Sequence, residues 1–386
     1  MSDSHFNQPK KDWSARKHAV LRDYFPTFCK ALSRQGTIWY VDGFAGAGSF
    51  RDPNNPNSSV EAGSPVLAAE IAQQLSYDVR CYNVEEDQGN YQSLVEATKQ
   101  YPHVINIHAD FNTVVGQILT VVQSHPAFFF LDPFGTKDLP MEGVIDRIAM
   151  RTKPTDILVR YATETVRRLA GAYEKDLPRR DAHARNLDKW FRGNDWRQII
   201  QQFPVGQSRD TELLTYYLRQ LVSISGGRLR FAAAYPIRTI DGYIKYHLVF
   251  ATGDQLGVKL MSDVLYKTES LFIEEQTAHE QQKQEHLLAG QMILFGEEAP
   301  SQAELYKQHL QNIQNSILEI ARTSRTTWNF DDLRLELIIN RNWFARMSEK
   351  DFRAAVKALY TKGKIERLSP GRAWNKDTLL RITYDS

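Results

Sequence analysis

Trp13, Val20, Leu21, Tyr24 and Phe28 recur near a 3.6-residue period, which predicts a helix over residues 13–35 stopped by Gly36. Short runs rich in β-branched and aromatic residues follow, at 38–42, 79–84, 104–108, 128–131 and 156–161, and read as strands. Between them, Gly63-Ser64-Pro65 opens a helix with Ser64 as N-cap and Pro65 at its first position, and residues 91–100 form another. Strand and helix in turn predict an α/β fold with a mostly parallel sheet covered on both faces. Two last runs, 231–237 and 245–251, flank Thr239-Ile240-Asp241-Gly242-Tyr243 and predict an antiparallel terminal hairpin. Beyond a Gln/Glu-rich stretch the pattern changes. Residues 301–386 predict three helices (to about 322, from 331, and 348–362), then strands at 364–368 and 378–383 about a turn at 370–376. Helices followed by a basic two-stranded ribbon outline a winged helix-turn-helix domain. The expected organisation is an α/β domain over 1–272 with a helical insertion at 165–205, a linker at 273–300, and a winged domain at 301–386.

Composition narrows the classes. At 386 residues, 42% hydrophobic and 24% charged, the chain can bury one large core and a smaller one. Two cysteines, Cys29 and Cys81, exclude a disulfide framework and a Cys-rich metal or iron–sulfur site within this chain. No apolar run reaches membrane-spanning length, and Met1 to His5 lack a signal peptide's apolar core, so the expected location is cytoplasmic, with no membrane contact. The overall charge of +2 is uneven: residues 301–386 hold 15 Lys and Arg against 10 Asp and Glu, net +5, leaving −3 for the rest. A basic tail domain fits a nucleic-acid contact.

The strand ends carry the candidate chemistry. The first runs into Asp42-Gly43-Phe44-Ala45-Gly46-Ala47-Gly48, an acid followed by a small-residue loop that a ligand can approach closely. A dinucleotide loop would read Gly-x-Gly-x-x-Gly with its acid on the second strand. An acid ahead of the glycines suits the sulfonium and amino-acid end of S-adenosylmethionine better than a pyrophosphate. The second strand ends in Glu85-Glu86-Asp87, where Glu85 can accept both hydroxyls of a ribose and Glu86 or Asp87 can cap the next helix. The third leads to Asp110 and Phe111, placed to accept from an adenine amino group and to flank its ring. Lys17 and His18, on the leading helix, are further cofactor candidates. No metal site is expected.

The fourth strand ends in Asp132-Pro133-Phe134-Gly135. An exocyclic base amine is a poor nucleophile, because its lone pair is delocalised into the ring. Accepting its N–H bonds with the Asp132 carboxylate and the Pro133 carbonyl localises that pair, while Phe134 stacks the flipped base. The insertion carries Arg167, Arg168, Arg179, Arg180, Arg185, Trp190 and Trp196. It fits either a substrate lid, with Arg on phosphates and Trp stacking, or a solvated helical pair with the tryptophans packed beneath. In the winged domain, Arg353 and Lys357 of the third helix and Arg372, Trp374 and Lys376 of the wing are the expected nucleic-acid contacts; Trp374 stacks on a base or pins the wing. Gln291-Met292-Ile293-Leu294-Phe295 first fits an apolar anchor that tacks the linker to a domain, and it is also similar to the short peptide that docks on sliding clamps.

At these residues the chain resembles known groups. Asp-x-Phe-Ala-Gly-x-Gly is similar to motif I of adenine-specific nucleic-acid methyltransferases. Asp-Pro-Phe-Gly resembles the catalytic motif of tRNA guanine-N2 methyltransferases and departs from the Asp-Pro-Pro-Tyr of most N6-adenine enzymes. Trp13 to His18, Tyr40 to Gly48, Gly63 to Pro65, Glu85 to Asp87 and Leu131 to Gly135 together resemble the three-Cys-motif partner family, TcmP. That resemblance covers residues 13 to about 270, with the winged helix often appended. It implies a Rossmann-like class I methyltransferase sheet, S-adenosylmethionine as cofactor, and a separate radical-SAM-like iron–sulfur protein with three cysteines as partner. The expected function is methylation of a purine exocyclic amine in RNA or DNA. The alternative is a non-catalytic adaptor that presents nucleic acid to that partner.

Overall fold

The computed structural model describes residues 12–50, 61–175, 177–288, 301–371 and 374–383. The chain forms two compact units, residues 1–258 and 259–386.

The first unit is built on seven strands: β1 (Ile38–Asp42), β2 (Val79–Glu85), β3 (Val104–His108), β4 (Ala127–Leu131), β5 (Thr155–Tyr161), β6 (Phe231–Arg238) and β7 (Ile244–Thr252). Their order across the sheet is β3-β2-β1-β4-β5-β7-β6. The first five run parallel; β7 pairs antiparallel with both β5 and β6. This is the mostly parallel, Rossmann-like arrangement expected from the sequence, closed by the expected hairpin.

Helices cover both faces. They are α1 (Asp12–Leu32), α2 (Ser64–Gln74), α3 (Gln88–Thr98), α4 (Phe111–Val122), α5 (Thr163–Glu174), α6 (Arg180–Phe191), α7 (Trp196–Gln202) and α8 (Gln207–Ser223). Every residue of β1 and β4 is buried, as a central parallel strand requires. Alternation along β4 sends Phe128 to one face, where the Tyr24, Phe25 and Phe28 rings of α1 lie 5.7, 5.9 and 5.7 Å away. Phe129 points to the other face, into the cluster holding Val115 and Ile118 of α4. α1 runs on into a 3-10 turn, Ser33–Gln35, which Gly36 ends at φ +89°. Gly63, rather than Ser64, is the N-cap of α2.

The insertion resolves toward packing. Trp190 and Trp196 are fully buried: Trp190 stacks on Tyr217 at 5.3 Å, and Trp196 Nε1 donates to Asp188 at 2.9 Å. Neither indole can stack a base. Arg167 pairs with Asp210, and Arg197 with Asp188.

The second unit begins inside α9 (Gln255–Leu288), so the expected boundary at 272/273 falls instead at 258/259, and the first half of the expected linker is helical. Gln and Glu are good helix formers, and a polar run carries no apolar stripe to announce a helix. Then come α10 (Gln302–Thr323), β8 (Thr327–Asn329), α11 (Phe330–Asn340), α12 (Glu349–Thr361), β9 (Ile365–Arg367) and β10 (Leu379–Ile382), with the three strands antiparallel in the order β8-β10-β9. Within this unit Lys259 of α9 pairs with Asp331, and Asp263 with Arg334. The clamp-like segment 291–295 lies outside the described residues. No helix among the described residues is long and apolar enough to cross a membrane.

Candidate active site

β1 to β4 are parallel neighbours, so their carboxyl ends gather on one edge. Asp42 ends β1, Glu85 ends β2, Asp110 lies two residues past β3, and Asp132 follows β4 directly. Strand order reverses between β1 and β4, and at such a switch point the connections leave in opposite directions and open a crevice.

The loop after β1 is laced to both neighbours. Gly43 N–H donates to the Phe130 carbonyl at 3.1 Å, and Ala45 N–H to the Val84 carbonyl at 2.9 Å. A Cβ on Gly43 would come 2.8 Å from Leu131 Cδ2 and 3.1 Å from the Phe111 ring. Gly48 takes φ +77°, and its carbonyl accepts from Gly63 N–H at 2.8 Å. Phe44 is half-buried, 5.8 Å from the Phe111 ring.

The acids divide by role. Asp42 is fully buried; its carboxylate accepts from Phe44 N–H at 3.1 Å and Tyr40 Oη at 3.0 Å, with the Ser64 hydroxyl as a further partner. Burial pushes its carboxyl up to about 6 against these hydrogen bonds and the Lys17 charge. It braces the loop from beneath. Glu85, half-buried, grips the same loop from the side: Oε2 accepts from Gly46 N–H at 2.7 Å and Oε1 from Asp87 N–H at 2.9 Å. Asp87 caps α3 through Asn90 N–H, and Asp110 caps α4 through Asn112 N–H at 2.9 Å. Phe111, expected to flank a ligand ring, is 1% exposed and belongs to the core under the loop. An acid followed by Phe marks a capped helix whose first aromatic turns inward.

Around Asp132 the structure joins residues that the sequence kept apart. Lys17, read as a cofactor contact, is buried on α1 and forms an ion pair with Asp132 Oδ2. His18 beside it is 2% exposed, its ring 6.0 Å from Phe50. Arg160 Nη1 of β5 lies 3.9 Å from Asp132 Oδ1 and donates to the Pro133 carbonyl at 3.4 Å. Burial raises the Asp132 carboxyl, but the charges of Lys17 and Arg160 outweigh it and hold the group ionised, below the ordinary carboxylate range. Phe134 projects outward, 63% exposed, and Gly135 N–H ties the turn to Asp138 Oδ2 at 3.1 Å.

Two residues here escaped the sequence reading, Arg160 and Tyr246. The Arg160 guanidinium lies 4.6 Å from the centre of the Tyr246 ring on β7, whose phenol is raised by burial and then by the Asp132 charge. The available signal was a lone cation in the apolar run Ile157-Leu158-Val159-Arg160-Tyr161.

In the second unit, Arg353 pairs with Glu349, donates to the Trp374 carbonyl and lies 5.1 Å from the Phe330 ring centre. Trp374 sits 5.4 Å from Tyr360 and 6.3 Å from Phe330. Both residues therefore hold the turn against the helices. Lys357 and Lys376 are exposed, and Arg372 lies outside the described residues.

No protein-family model matches the chain, and no curated protein matches it. Among solved structures it is similar to a Legionella pneumophila protein of the family model DUF519 (14% identity, 65% of this chain and 86% of that one, TM-score 0.36). It is also similar to M. jannaschii TYW2 in complex with AdoMet (14% identity, 63% and 76%, TM-score 0.31). A third is the O-methyltransferase from Bacillus cereus in complex with SAH (10% identity, 64% and 84%, TM-score 0.32). Likenesses this distant carry no argument about what the site binds.

Proposed function

We propose that the chain is an S-adenosylmethionine-dependent methyltransferase acting on an exocyclic amine of a nucleic-acid base. One observation carries this reading: an ionised carboxylate, Asp132, and a backbone carbonyl, Pro133, stand beside a glycine loop at the switch point, next to an exposed aromatic ring. The residues fit the cofactor. A carboxylate offers about four acceptor positions, and the Gly46 and Asp87 amides occupy two on Glu85, leaving two for vicinal ribose hydroxyls. Asp110 at the next strand end is placed for an adenine amino group.

When bound, S-adenosylmethionine supplies an electrophilic methyl carbon. Asp132 and the Pro133 carbonyl accept the two amine hydrogens and localise the nitrogen lone pair. The chemistry that the cofactor, held by Glu85 and Asp110, would supply is methyl transfer, in which the nitrogen–carbon bond would form as the carbon–sulfur bond breaks and its electron pair passes to sulfur. The nitrogen then sheds a proton through Asp132 to water. Phe134 covers the base face.

Calorimetry tests the cofactor site directly. The full chain should bind S-adenosylmethionine, and Glu85→Ala should weaken that binding by about tenfold or more, the cost of at least one charge-assisted hydrogen bond. A wild-type protein that folds and binds no S-adenosylmethionine removes the enzyme reading.

The second reading is an adaptor that presents nucleic acid to a cysteine-rich iron–sulfur partner, as the motif resemblance to three-Cys-motif partners implies. It is favoured by one feature: Lys17 and Arg160 already hold the two acceptors meant for the amine. Labelled methyl donor with total RNA and DNA separates the two, since an adaptor transfers nothing.

Within the second unit, α10, α11 and α12 with the three-stranded antiparallel sheet support a winged helix-turn-helix reading. With Arg353 engaged, exposed Lys357 and Lys376 remain as phosphate contacts. Changing both to Glu should weaken nucleic-acid binding and lower the slope of log affinity against log salt by about 2. An unchanged slope would assign this unit to protein contact instead.

A further inference from the structure

Resting on the amine-transfer reading, we infer that the base is adenine, and that Arg160 together with Lys17 selects it. The amine acceptors are fixed: Asp132 and the Pro133 carbonyl. What borders them is cationic: an ammonium on one carboxylate oxygen and a guanidinium on the Pro133 carbonyl, within ion-pair distance of the other oxygen. The Lys17 ammonium holds Oδ2, while the Arg160 guanidinium stands 3.9 Å from Oδ1 and bonds the Pro133 carbonyl at 3.4 Å.

Each candidate amine has its own neighbours on the base edge. Adenine N6 lies between N1 and N7, both acceptors. Guanine N2 lies between N3, an acceptor, and N1–H, a donor. Cytosine N4 has N3 on one side and a C–H on the other. Lys17 and Arg160 are donors only, so whichever flank of the base edge meets them, adenine alone of the three presents an acceptor on either side of its amine. Guanine would turn its N1–H toward a cation. The usual remedy, one carboxylate taking N1–H and N2–H together, needs both oxygens, and Lys17 already holds Oδ2. A buried donor left without an acceptor is costly, so the mismatch discriminates strongly.

Arg160 is suited to this task because its plane is fixed before any base arrives. Its guanidinium lies over the Tyr246 ring at 4.6 Å, and one nitrogen is tied to the Pro133 carbonyl. Each acceptor keeps room for the amine, since a carbonyl oxygen has two lone pairs and a carboxylate about four acceptor positions. The assignment runs against the resemblance of Asp132-Pro133-Phe134-Gly135 to a guanine-N2 motif, because it rests on what surrounds the tetrad.

The test uses oligothymidylates and oligouridylates carrying a single adenine, guanine or cytosine, because thymine and uracil have no exocyclic amine. Binding to the full chain is read by anisotropy, and transfer from S-adenosylmethionine by nucleoside mass spectrometry. Adenine should be preferred over guanine by at least about tenfold in transfer and about threefold in binding, with N6-methyladenine as product. Arg160→Met should bring the binding ratio within about twofold, while Arg160→Lys keeps part of it. Methylated guanine or cytosine in place of adenine overturns the base assignment and leaves amine transfer standing. Preferential adenine binding with no transfer supports the assignment and sinks the transfer reading. Equal binding and no transfer overturns both.

Discussion

Replacing Asp132 by asparagine is expected to lower methyl transfer at least ~10³-fold, about 4 kcal/mol in the transition state, with S-adenosylmethionine affinity within about twofold of wild type. The carboxylate accepts from the amine as that nitrogen turns positive, so its charge acts most strongly on the transition state. An amide in its place offers one weaker acceptor and turns its own N–H bonds toward the base or Lys17. The cofactor side is spared because Glu85 and the glycine loop stand on β2 and β1, whereas Asp132 follows β4. Stability should fall as well. The Lys17 side chain is 9% exposed and loses its anion, and breaking a buried pair costs about 3–5 kcal/mol. The 22% exposure of Asp132 places this pair at or below the lower end of that range. Lys17→Met combined with Asp132→Asn should recover much of the lost stability and none of the activity. Single-turnover transfer, calorimetry and urea unfolding read the three quantities. A variant that loses cofactor affinity in step with activity would move Asp132 out of the catalytic role.

The central strands were legible because a buried parallel strand is a short, nearly continuous apolar run. β1 begins and ends where such a run does, and β4 holds a block of three phenylalanines, whereas β3 lies at the sheet edge with no residue fully buried and was legible from its β-branched residues instead. β8 was not legible: Thr327-Trp328-Asn329 is three residues long and gains its partner only from β10, some fifty residues on. The polar helix through Leu288 hid for the opposite reason, since its Gln and Glu residues give propensity without periodicity. The site splits in the same way. Asp42, Glu85, Asp110 and Asp132 could be placed on one edge from strand order alone. Which of them face the crevice could not, because Asp42 is buried by contacts from Tyr40, Phe44 and Ser64. Arg160 and Tyr246 join the site only through the β4-β5-β7 neighbourhood, which alternation within a single strand does not encode.

Asparagine at Asp156 should stabilise the first unit at pH 8 by about 2–3 kcal/mol and leave it nearly unchanged at pH 4. Asp156 is 6% exposed at the start of β5, where it accepts from Tyr24 Oη at 2.5 Å, with the Thr252 side chain as a second partner. Burial raises its carboxyl from 3.8 to about 6, opposed by those hydrogen bonds and reinforced by the Asp254 charge. A carboxyl raised on folding binds its proton more tightly in the native state. Its contribution is therefore fully present below the unfolded value and is lost as pH rises through about 6. Asp42, raised in the same way to about 6, acts with the same sign. His247 acts in the opposite direction over the same window. Burial and then the charges of Arg238 and Arg167 lower it from 6.5 to about 4, so the unfolded chain takes up its proton first and stability falls as pH drops through that range. His247 therefore offsets about one of the two carboxyls in the wild-type profile between pH 4 and 7, and the difference between variant and wild type isolates Asp156. Asparagine keeps an oxygen for Tyr24 and an N–H for the Thr252 hydroxyl, so packing and hydrogen bonding survive while the buried charge does not. Urea unfolding across pH 4 to 8 should give a difference that grows in favour of the variant and flattens above pH 7. A difference constant with pH would mean that Asp156 does not titrate in this window, and one growing toward low pH would reverse the sign of its shift.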